Sequence, residues 1–71
     1  MRLVLHKIYK VTDESRTFYV KVIDELCNWE YDYSTYSCRI ISSGDYYNQT
    51  LILVTEMWTV VEATSLEIEL L

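Results

Sequence analysis

Residues 36–54 read YSCRIISSGDYYNQTLILV, and this stretch decides the class of fold. Two runs rich in β-branched, aromatic and aliphatic residues, 36–41 and 46–54, flank Ser42, Ser43, Gly44 and Asp45. Such side chains suit a pleated surface, and Gly44, the chain's only glycine, can take a positive φ at little steric cost. The pattern predicts an antiparallel hairpin turning at Gly44. Its Leu51, Ile52, Leu53, Val54 run predicts a strand buried on both faces.

Working toward the N-terminus, residues 2–11 and 17–23 form a second hairpin. Asp13 and Ser15 can bond their own backbone in the turn between them. Phe18, Val20 and Val22 share one face of the second strand, opposite Tyr19 and Lys21. The first strand alternates poorly around Lys7, which predicts a bulge or an edge position. Toward the C-terminus, residues 58–62 continue the 46–54 strand after a kink or form a strand of their own. In residues 65–71, Leu66, Ile68 and Leu70 alternate with Glu67 and Glu69, the pattern of a last strand with both carboxylates outside. Residues 24–32 are the one helix candidate, with Asp24 as cap and Glu25 in the first turn, and an irregular loop is the alternative. The expected fold is mainly β, or α+β with one short helix between the second and third strands: about five antiparallel strands in a small sheet or barrel. Residues 1–71 make a single domain, of a size at which the core stabilises by only about 3–5 kcal/mol.

Charge is split by position. Residues 1–21 hold five bases against two acids, a net +3, while residues 22–71 hold nine acids against Arg39 alone, a net −8. A surface of that balance repels phosphate backbones and attracts basic partners, so direct nucleic-acid binding is not expected. No apolar run approaches the roughly 20 residues that span a bilayer, and no secretory segment opens the chain. A soluble cytoplasmic protein with no membrane contact is expected. Cys27 and Cys38 fit no zinc spacing with His6 the only histidine, and read as reduced, buried thiols, a single bridge between them being the alternative.

Enzyme chemistry finds no support in the residues. His6 sits in a strand pattern, the neighbours Asp13 and Glu14 would point to opposite faces of a strand, as would Asp24 and Glu25, and there is no phosphate-cradling glycine loop. No catalytic residue, metal or cofactor is expected. The segment Trp29, Glu30, Tyr31, Asp32, Tyr33, Ser34, Thr35, Tyr36 has instead the composition of a binding loop, because Tyr and Trp offer rigid contact area with a polar tip. Tyr46 and Tyr47 would join it if the Gly44 turn folds back. Glu67 and Glu69 would either pair with Lys7 or Lys10 across strands or extend a negative face.

In general type, a compact, acidic, Tyr-rich, proline-free chain of this length resembles the small inhibitor proteins that phages make against host nucleases, CRISPR effectors, restriction enzymes or repair glycosylases. The likeness is one of type and covers no aligned residues. It implies a stoichiometric inhibitor, an anti-CRISPR or other anti-defence protein that mimics DNA charge toward a basic, nucleic-acid-binding groove in the host cytoplasm. The alternative is a structural or assembly subunit acting through an apolar homo-oligomeric interface. A homodimer is expected in either case, since several strands carry apolar groups on both faces.

Overall fold

A computed structural model of the chain describes residues 2–26 and 35–71. Five antiparallel strands form one open sheet: β1 (Ile8–Thr12), β2 (Thr17–Leu26), β3 (Thr35–Ile40), β4 (Thr50–Val54) and β5 (Thr59–Glu62), in the order β4-β3-β2-β1-β5. A 3₁₀ turn (Thr55–Met57) joins β4 to β5, and one short helix, α1 (Ser65–Glu69), follows.

The connection between β4 and β5 dictates the sheet's shape. Val54 and Thr59 lie at opposite ends of the two edge strands, yet only five residue steps separate them. An extended chain spans about 17 Å in that many steps, whereas five strands laid flat would hold their edges about 19 Å apart. The sheet must therefore curl, and the core lies on its concave side. Cross-strand partners Tyr9 and Val20, Val22 and Cys38, Tyr36 and Leu53, and Val11 and Val60 fill it.

Each end of the curl is closed by side chains. At one end residues 2–5 cross the core: Leu3 is buried, its N–H donates to Tyr36 Oη at 2.8 Å, and the Val4 N–H donates to Tyr9 Oη at 3.0 Å. Two buried phenols thus find polar partners without leaving apolar surroundings. At the other end Phe18 meets Tyr46 edge-on at 5.5 Å and Trp58 at 6.2 Å.

Several expectations are corrected. β1 is an interior strand, so of the two expectations at Lys7 the edge position fails and the bulge holds: His6, at φ 68, and Lys7 together oppose Val22, the His6 N–H donating to the Val22 carbonyl and the Val22 N–H to the Lys7 carbonyl. A separate register shift sits in β2 between Val22 and Asp24. Asp24 and Glu25 extend β2 instead of starting a helix, and residues 27–32 of that helix candidate lie outside the described residues. Residues 46–49 belong to the turn, with Asn48 at φ 66, so β4 begins at Thr50. The Leu51 to Val54 run is buried on one side only, because no described residue covers the convex face of β4: Leu53 is fully buried and Ile52 is 53% exposed. Residues 59–62 form a strand of their own. Ser65–Glu69 is helical, not a strand: Thr64 caps it and Glu67 reaches back to the Thr64 N–H, a reciprocal pair of bonds that period-two alternation does not reveal. Leu66 and Leu70 are consequently exposed.

Candidate interaction site

The β1–β2 turn is organised by one carboxylate. Asp13 Oδ1 accepts the N–H groups of Ser15 at 3.0 Å and Arg16 at 2.9 Å, and Oδ2 takes Arg16 Nη2 at 3.0 Å. These bonds, the Ser15 N–H first, hold the Asp13 carboxyl below the usual carboxylate range. The guanidinium so fixed lies 5.8 Å from the Phe18 ring centre and 6.0 Å from that of Trp58. Across the gap the 3₁₀ turn presents Glu56 and Met57, the latter 75% exposed. Between turn and 3₁₀ segment runs a cleft of about 410 Å³ lined by Asp13, Glu14, Glu56, Met57, Trp58 and two threonines. Acids and apolar side chains share one concavity.

Ion pairing shows which acids remain for a partner. Arg2 pairs with Glu25 at 3.6 Å, Lys7 with Glu62 at 2.7 Å, Lys10 with Glu67 at 3.8 Å and Arg16 with Asp13 at 3.0 Å. Glu14, Asp24, Asp45, Glu56 and Glu69 pair with no base among the described residues. Lys21 and Arg39 oppose one another across β2 and β3, likewise without an acid among the described residues, so the convex face is locally basic and not uniformly negative.

The sequence-derived site is dispersed. Trp29, Glu30, Tyr31, Asp32 and Tyr33 lie outside the described residues. Tyr36 is fully buried and belongs to the core, whereas Tyr46 and Tyr47 are exposed on the β3–β4 turn, Tyr46 against Phe18. Glu69 is exposed, but Glu67 is engaged within the molecule: Tyr19 Oη donates to it, Thr64 caps against it, and Lys10 pairs with it. The Tyr19 hydroxyl first, then the Thr64 bonds, lower its carboxyl to about 2. Sequence reasoning missed Glu14, Glu56, Met57 and Trp58 as a group. It treated Asp13 and Glu14 as strand neighbours pointing apart, although they stand in a turn where that rule does not apply.

Cys38 is a free, buried thiol whose pKa is pushed up to about 11 by burial, which keeps it protonated and a poor nucleophile. Among the described residues no cluster of His, Cys, Asp and Glu could hold a metal ion, and no helix is long and apolar enough to cross a membrane. No protein-family model, curated protein or solved structure matches the chain.

Proposed function

We propose that the protein is a small acidic inhibitor that binds a basic, nucleic-acid-binding groove of a target enzyme, the role phages give to proteins directed against nucleases, CRISPR effectors, restriction enzymes and repair glycosylases. The observation that carries this reading is the cleft in which Glu14 and Glu56, unpaired with any base among the described residues, stand beside Trp58 and the exposed Met57. Carboxylates there meet lysine or arginine of the partner and set the association rate, while the indole and thioether supply apolar burial. Tyr46 and Tyr47 extend the same end of the molecule. The chemistry is binding alone and draws on no catalytic group, metal or cofactor.

The test is to titrate the protein against a panel of nucleases, CRISPR effectors, restriction enzymes and repair glycosylases. One target should lose activity at about one equivalent, with relief as salt screens the contact. Glu14→Gln with Glu56→Gln should weaken that inhibition while leaving the melting temperature nearly unchanged, and Asp32→Ala and Tyr33→Ala report on the segment outside the described residues. Full activity of every panel member in excess inhibitor, or inhibition indifferent to salt and to the paired substitutions, rejects the reading. The alternative, an assembly subunit acting through an apolar self-interface, is favoured by a different feature, the open edge of β4.

A further inference from the structure

β4 ends the sheet, and its hydrogen-bonding groups can be sorted by direction. Ile40 N–H donates to the Gln49 carbonyl at 2.9 Å, and the register sets Cys38 opposite Leu51 and Tyr36 opposite Leu53. Alternation along an antiparallel ladder then turns the N–H and C=O groups of Leu51 and Leu53 toward β3, and those of Thr50, Ile52 and Val54 away from it. Thr50 and Ile52 bond to no backbone group of another described element, while the carbonyl of Val54, as N-cap of the 3₁₀ turn, is taken up by that turn.

Sheet edges that stay single are shielded by charge, proline, a bulge or a covering element. β4 has no charged residue and no proline, and its register is unbroken from Thr50 to Val54, the one bulge, where Asn48 and Gln49 oppose Ile40, lying ahead of the strand. It lies within residues 46–55, the longest uncharged stretch of a chain whose net charge is −5. Two copies can therefore approach along this edge without bringing like charges together, and Arg39 is the only charged side chain on β3 or β4.

We propose that β4 is the interface with a second copy of this chain, the two β4 strands pairing antiparallel about a two-fold axis at Ile52. This makes the assembly reading specific and is independent of the inhibitor reading. Ile52 then faces its own counterpart, Thr50 faces Val54, and Leu51 faces Leu53, so the Ile52 N–H and C=O pair with those of the second copy and the Val54 N–H of each strand meets the Thr50 carbonyl of the other. The Leu51 and Leu53 contacts join the two concave cores, and Ile52, 53% exposed in the single chain, is covered on the convex side. Centring the seam on Leu51 or Leu53 would run a strand end against Asn48 or Glu56, outside the strand. An interface this short falls below the roughly 1,200 Å² of standard complexes, so the dimer dissociates on dilution.

Sedimentation equilibrium over a wide concentration range tests the proposal. A reversible rise in mass from 8.5 kDa toward twice that value is expected. Ile52→Pro removes only an N–H that points to solvent in the single chain, a substitution an edge strand tolerates, and should give a folded monomer at all concentrations. Should that variant fail to fold, Ile52→Lys places like charges at the axis through an exposed side chain and should weaken dimerisation by about tenfold or more. Register is read by a short thiol-bridging reagent in a Cys27→Ser background: Ile52→Cys should link to itself, and Thr50→Cys should link to Val54→Cys far better than to itself. A mass of 8.5 kDa throughout overturns the proposal. So does a folded Ile52→Lys variant that dimerises as the parent does, which would move the contact to β5 or α1.

Discussion

Glu67 shows how one side chain can be right in its partner and wrong in its setting. Pairing with Lys7 or Lys10 across strands is one of the two expectations from the sequence, and a pair with Lys10 exists at 3.8 Å, but it is made from the first turn of a helix. The carboxylate accepts from Tyr19 Oη and the Thr64 cap, bonds only its ionised form makes well, and these hold its pKa at about 2 instead of the ordinary 4.5. A carboxyl depressed in the folded state stabilises fully above its unfolded pKa, and that contribution is lost as pH falls through the folded value. The Tyr19 hydroxyl is raised above 10.0, chiefly by the same bond, so its contribution persists until alkali removes the proton. The stability difference between the parent and Glu67→Gln should therefore be constant through neutral pH and shrink between about 4.5 and about 2. Thermal melts across that range check it. A difference independent of pH would mean that the contact gives no preference to the ionised form. Neither Tyr19 nor Thr64 is adjacent to Glu67 in a strand reading, which is why this site was illegible from spacing alone.

At the scale of elements, turns were more legible than strand ends. Asp13 organises its turn through its own neighbours, and Gly44 marks the other because φ is +133 there. Both effects are local, so composition reveals them. What composition leaves open is where each strand stops: Asn48 in the left-handed region delays β4 to Thr50, and the Thr64 and Glu67 capping box overrides an alternation that fits a strand equally well. A β-carbon added at Gly44 would meet no heavy atom within 4 Å, so Gly44→Ala adds backbone strain without a clash. Its expected cost is about 1–3 kcal/mol, measurable as a shift in denaturation midpoint with the slope unchanged. A neutral outcome would show that the turn relaxes to a negative φ.

The whole molecule is set by the short link between its edge strands. Because Val54 and Thr59 must be joined within five residue steps, the sheet curls and one side of it is closed off, while among the described residues the convex side is covered only where Glu67 tethers α1 to Tyr19 and Lys10. Reading the Leu51 to Val54 run as buried on both faces assumed a layer on each face of the sheet; among the described residues only the concave face of β4 is covered. That difference makes two adjacent residues unequal. Leu53 is fully buried in a core that stabilises a chain of this size by only about 3–5 kcal/mol, and Leu53→Ala, at about 2–5 kcal/mol, should leave most molecules unfolded near body temperature. Ile52→Ala, at the next position, removes a side chain that is 53% exposed and should cost about 0.5 kcal/mol when measured dilute enough to keep the chain single. Urea melts of the two variants decide the matter, for equal losses would require a layer over the convex face of β4. A larger Ile52→Ala effect that grows with protein concentration would instead locate the missing cover in a second copy.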